Sequence, residues 1–182
     1  MPSLLRDLDS KTVAREACDA FLSHLGRLTF LLNPLSVMLP STDSMVDGTD
    51  FGLTVQQLAA FAKHGCPAGD WDHPEMGADA LLMVVSALYG GALDRPTSLP
   101  GILEEGEPSS GLEVVLLASW TRVQISRMES VEPRQIACLG SVPLRTVQHH
   151  IAERQLAAEG SRPARVSAEA AVTYLKDRGV RF

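Results

Sequence analysis

The chain has 182 residues, 45% of them apolar and 5% aromatic, with a formal net charge of −6. That length fits one large domain or two small ones, and the apolar share excludes wholesale disorder. Plentiful Ala and Leu with few aromatics favour helix over strand, so the expected fold class is all-α.

Ser10 to Leu32 reads as a helix, because Val13, Ala17, Ala20, Phe21, Leu25 and Leu28 recur at helical spacing. Pro34 and Pro40 end it. The apolar run from Leu28 to Leu39 carries Asn33 and Pro34, so it reads as a buried helix end and connector. Ser41 to Gly52, rich in Ser, Thr, Asp and Gly, predicts a loop. A second helix is expected from Thr54, where Thr54 and Gln57 make a capping-box pattern, to a stop at Gly65. Cys66 to His73 reads as a loop. A third helix runs from Pro74, whose missing N–H is not needed in a first turn, to Tyr89 before Gly90-Gly91. Thr97 to Ser110 reads as an acidic loop or linker. A fourth helix is expected over Gly111 to Glu129, with Ser110 and Glu113 as another capping box. It is apolar on several sides at its start, which puts it at the centre of the N-terminal part.

Charge is distributed unevenly. Met1 to Ser130 carries −9 and Val131 to Phe182 carries +3. A basic end on an acidic body points toward nucleic acid. The expected organisation is an N-terminal helical bundle over residues 1–130, followed by a C-terminal helix-turn-helix domain with a small wing over residues 131–182. The first is a candidate to dimerise or to bind a protein partner or ligand.

The informative stretch runs from Glu132 to Ile151. Pro133 opens a short helix filled by Gln135, Ile136, Ala137 and Leu139. Gly140-Ser141-Val142 makes a tight turn, and Pro143 opens a second helix that runs to about Glu153. Ala137 is small where the helices come closest. Val142, Val147 and Ile151 are placed to pack back on the first helix, with Leu144 extending that side. Arg145, Thr146, Gln148 and His149 then face outward together. Such a helix suits a major groove, where Arg pairs with guanine, Gln with adenine, and Thr reaches a base edge or phosphate.

This stretch resembles the bacterial and phage helix-turn-helix domains of the MerR and excisionase type. Their recognition helix often reads Val-Ser-x-Arg-Thr-Val-x-x-x-Ile, and this chain has Val142, Pro143, Leu144, Arg145, Thr146, Val147 and then Ile151. The resemblance continues through Leu156, a short basic wing at Gly160 to Arg165, and a closing helix opened by Val166 to Ala170 and ending in Tyr174-Leu175. It departs at the turn glycine, where Ser141 stands with Gly140 beside it as a partial substitute. It departs again at the glycine after the recognition helix, where Arg154 stands, and at an apolar or aromatic position held by His150. The resemblance covers about fifty residues. It implies base contacts from Arg145, Thr146, Gln148 and His149, and phosphate contacts from Arg134, Arg162 and Arg165. The partner implied is double-stranded DNA, read by a homodimer on two half-sites.

Other chemistry finds less support. Cys18, Cys66 and Cys138 are odd in number and form no Cys-x-x-Cys pair. That argues against a disulfide framework or thiolate zinc site and for a reducing cytoplasm; each reads as a small buried apolar residue. The first residues lack the basic start and apolar run of a secretory signal, and no stretch has the length of a membrane span. Cys66, Asp70, Asp72, His73 and Glu75 crowd one segment after His64, but without a recognised metal-ligand spacing. Acidic residues before Pro74 have a plainer role at a helix N-terminus. His149 and His150 point about 100° apart on a helix and cannot readily chelate one ion. No metal, cofactor or catalytic residue is expected. Ser36, Ser86 and Ser126 sit in no nucleophile motif, so the expected role is not enzymatic. One alternative is an accessory or antitoxin-like interaction protein that uses the helix-turn-helix as scaffold; another is a metal-dependent enzyme built on His64 to Glu75.

Overall fold

The computed structural model describes residues 5–32, 39–65, 74–89, 108–160 and 164–182. Side chains at 27–32, 74 and 89 lie outside that description. Among the described residues every regular element is helical, as an all-α fold requires. A 3-10 turn (Leu5–Asp7) precedes α1 (Ser10–Leu32), α2 (Thr42–Gly48), α3 (Asp50–His64), α4 (Pro74–Tyr89) and α5 (Gly111–Ser126). Then come α6 (Pro133–Leu139), α7 (Leu144–Ala152) and α8 (Ala168–Lys176). No helix among the described residues is long and apolar enough to cross a membrane.

Helix α1 starts where Asp9 caps it, its Oδ2 accepting the Thr12 backbone N–H at 2.9 Å. The Thr12 hydrogen bonds hold the Asp9 carboxyl below its ordinary value of 3.8. The cap is therefore fully formed above that value and is lost as pH falls through the lowered one. Val13, Ala14, Ala17 and Cys18 are the buried stripe, whereas Ala20, expected on it, is exposed.

The segment read as a loop from Ser41 to Gly52 holds α2 and the first turn of α3. Two of its polar residues, Ser41 and Thr49, are helix caps rather than turn residues. Ser41 Oγ accepts from the Ser44 N–H, and Thr49 Oγ1 accepts from the Gly52 N–H. Met45 and Val46 anchor α2 in the core. Helix α3 thus begins at Asp50 under Thr49, not at Thr54. Gly52 allows the sharp return: a Cβ there would lie 2.3 Å from the Met45 carbonyl oxygen and 2.5 Å from that of Val46. Gly65 ends α3 with φ +81°, and its N–H reaches the Phe61 carbonyl. The expected loops at 66–73 and 97–107 and the Gly90-Gly91 stop lie outside the described residues.

Helix α5 is the centre. It packs on α1, α3 and α4 on one side and on α6 and α8 on the other. Ser110 Oγ accepts from the Glu113 N–H as expected, but Glu113 reaches one residue further back, to Ser109. Glu16 of α1 completes the cap, its Oε2 accepting the Leu112 N–H at 2.8 Å. The helix stops at Ser126, three residues short of the expected Glu129. Met128 then takes φ +59°, a left-handed conformation that costs an L-residue about 1–2 kcal/mol. The buried hydrophobic cluster runs without a break from Leu5 to Leu175, through α5.

Two outcomes test this account. Met128 is exposed, and Met128→Gly is expected to stabilise the chain by roughly 0.5–1 kcal/mol, measured as a higher urea midpoint at unchanged slope. Gly52→Ala is expected to destabilise it by about 1–3 kcal/mol, because the added methyl meets backbone oxygens that cannot turn aside. Equal stability to the parent would show that α2 and α3 do not meet there.

Candidate nucleic-acid interface

Helix α6 opens at Pro133. The Gln135 side chain turns back so that its Oε1 accepts the Glu132 N–H at 2.7 Å. Its amide also hydrogen-bonds the Gln124 side chain, which pins α6 to α5. Ile136, Ala137 and Leu139 are buried.

The turn is tight and fully bonded. The Gly140, Ser141 and Val142 N–H groups donate to the carbonyls of Ile136, Cys138 and Ala137. Gly140 is right-handed, with φ −78°, and so does not stand in for the motif glycine that this chain lacks. Its smallness serves packing, since a Cβ there would lie 3.1 Å from Leu175 and 3.0 Å from the Ile136 oxygen. Ser141 itself takes the left-handed conformation, φ +50°. Beyond α7, Arg154 does the same at φ +60°. The two positions where the chain lacks the motif's glycines are therefore two where the backbone is left-handed, the conformation that favours glycine.

Helix α7 presents two contrasting faces. Val147 is fully buried, and Leu144, Ile151 and Val142 pack partly buried against the core. Arg145, Gln148 and His149 are exposed, while Thr146 is half-buried. Residues 145, 148 and 149 are related by helical i, i+3 and i+4 spacing and share one face. His149 Nε2 lies 3.1 Å from Glu153 Oε1 one turn on.

His150 faces the other way. Its Nδ1 lies 2.8 Å from the Tyr174 hydroxyl of α8 and 3.3 Å from an Arg178 nitrogen. The Arg178 guanidinium sits 3.5 Å over the Tyr174 ring. Burial pushes the Tyr174 hydroxyl up from its ordinary value, with Arg178 partly offsetting the rise. No local pattern in the sequence points to Arg178, which lies 28 residues from its histidine partner.

After α7, Leu156 is buried. Glu159 and Arg165 then pair antiparallel, with backbone hydrogen bonds of 2.7 and 2.8 Å. The next residue, Val166, pairs with Val131 just before α6. These bridges fix the Arg165 backbone against the start of the helix pair. Arg162 lies outside the described residues.

Arg134 and Arg165 converge on Glu132. Arg134 Nε is 3.0 Å from Glu132 Oε2, and an Arg165 terminal nitrogen is 3.4 Å from Oε1. Glu132 is a functional candidate that reasoning from sequence misses. The Glu-Pro-Arg order hints at the first contact, but nothing local signals the second.

Among the described residues no group of three His, Cys, Asp or Glu is placed to hold a metal. Cys66, Asp70, Asp72 and His73 lie outside them. Cys18 is buried. Cys138 as a residue keeps some surface, but its thiol is buried against the Val114 carbonyl, 3.4 Å away, and burial pushes it up to about 12. Compared with protein-family models, curated proteins and solved structures, the chain finds no match.

The thiol geometry predicts inertness. Mass-resolved alkylation at pH 8 is expected to label Cys138 only at the rate of unfolding, because both the thiolate and access to it are missing in the folded chain. Rapid labelling under native conditions would mean that α6 leaves α5 readily.

Proposed function

We propose that the chain is a sequence-specific DNA-binding protein, acting as a bacterial or mobile-element transcriptional regulator. The observation that carries this reading is the division of α7: one face is sealed against α6 and the core, the other offers Arg145, Gln148 and His149 to solvent as a unit. That is what a helix needs in order to enter a major groove while its own fold stays intact. The left-handed backbone at Ser141 and Arg154 supports it further, since it falls at the two positions where the resembled motif has glycine, the residue that conformation favours.

In this reading Arg145 and Gln148 pair with base edges, with His149 and Thr146 beside them. The half-buried position of Thr146 suits a phosphate or sugar contact at the groove wall better than a deep base contact. The Glu159–Arg165 pairing forms the base of a small wing. A single helix of this size touches few bases, so a homodimer on two half-sites supplies the specificity. The role is binding, not catalysis, in the cytoplasm.

Selection of genomic fragments by the full chain, followed by sequencing, is expected to return a common site. On that site Arg145→Ala costs about 1–3 kcal/mol of binding and relaxes preference at one base position, read by fluorescence anisotropy on matched and mismatched duplexes. If no fragment is enriched, or if Arg145→Ala binds every duplex as the parent does, the reading fails.

A further inference from the structure

Glu132 carries two guanidinium groups, one on each carboxylate oxygen. They come from distant places, Arg134 from the first turn of α6 and Arg165 from the paired segment that meets Glu159 and follows on to Val131's partner. The two contacts are unequal. The Arg134 side chain is 19% exposed and its contact is 3.0 Å; that of Arg165 is 45% exposed and its contact 3.4 Å. The other side-chain bond of Arg165, to the Ser130 carbonyl, is also long at 3.3 Å.

We propose that Glu132 is the resident counter-anion of Arg165, the group that a DNA phosphate replaces when the interface closes. This rests on the DNA-binding reading above. A phosphate offers a guanidinium the same forked acceptor geometry as a carboxylate, so the exchange keeps the charge-assisted bonds while releasing a counterion from the DNA. The backbone bonds of Arg165 to Glu159 hold its Cα, and only the side chain has to turn. Arg134, shorter in contact and more buried, stays on Glu132 and neutralises the carboxylate left behind. Arg134 is thus a positioning residue rather than a phosphate contact. Glu132 sets how tightly the chain holds DNA of any sequence.

The test is a double-mutant cycle on the full chain, with E132Q, R165A and E132Q/R165A titrated into a labelled random-sequence duplex over a salt series. E132Q is expected to tighten binding about two- to fivefold, the scale of an exposed ion pair. R165A is expected to flatten the logarithmic salt slope by about one. The E132Q gain disappears when Arg165 is absent. A gain of the same size without Arg165 overturns the proposal, since Glu132 would then be only one negative charge near the DNA; so does no gain at all while the parent binds. If the parent itself binds no duplex, the DNA-binding reading falls first and this inference with it. Because Glu132 also starts α6, the unsubstituted chain supplies a second measurement. On adding duplex, the Arg165 side-chain N–H resonance is expected to shift and that of Arg134 to stay. Equal shifts, or none at Arg165, overturn the assignment.

Discussion

Thirteen of the sixteen residues of α5 are buried, and they include Ser119, Thr121 and Arg122 as well as the apolar run. A helix enclosed on so many sides has to satisfy its polar groups internally, because water cannot reach them. Thr121 Oγ1 donates to the Leu117 carbonyl within the helix, and Ser119 Oγ donates to the Leu58 carbonyl of α3. Arg122 makes the largest connection. Its Nε and one terminal nitrogen donate to the carbonyls of Ala62 and Lys63 at the C-terminal end of α3, where positive charge is favoured. Its other terminal nitrogen donates to the Arg181 carbonyl, and its guanidinium lies over the Phe182 ring. Removing any one of these partners would leave a buried polar group to be rehydrated or strained. The register of α5 is therefore set by polar bonds at its far end as much as by packing along its length.

That register reaches the candidate interface directly. The Gln124–Gln135 bond and the Cys138–Val114 contact seat α6 on α5, and α6 in turn seats α7 through the bonded turn at Gly140 to Val142. From the other side, α8 packs on α5 and holds α7 through Tyr174 and His150. The outward face of α7 is thus supported from behind by two elements that share one foundation. This gives side chains on a nine-residue helix a rigid backing, which a recognition surface requires more than it requires many contacts of its own.

Much of this architecture is legible in the amino-acid sequence. The bounds of α1 and α4 are legible, α1 from its apolar spacing and the prolines beyond it and α4 from Pro74 and the Gly90-Gly91 pair, although Ala20 falls off the buried face of α1. The helix pair of the interface is readable in outline, since spacing alone places Val147 inward and Arg145, Gln148 and His149 outward; Thr146, expected outward with them, is half-buried. The largest misreading has a clear cause. Ser, Thr and Gly between 41 and 52 have the composition of a turn, but each does a different job: two cap helices, and one glycine lets two backbones approach. Composition cannot separate those jobs from a loop. The pairing of Glu132 with Arg165, and of His150 with Arg178, joins residues far apart along the chain. Such pairing is a product of the finished fold, and no local pattern encodes it.

The Arg122 junction has a mechanical meaning for the whole chain. By gripping the carbonyl of Arg181 and the ring of Phe182, it fastens the segment leaving α8 to the end of α3. The basic third is tethered at both its beginning and its end, so it cannot hang from the body as a loose pendant. In the DNA-binding dimer proposed above, two copies joined through their bodies would hold their α7 helices at a set distance, like the points of a caliper. The gap between half-sites would then be dictated by protein geometry and not by the reach of a flexible leash.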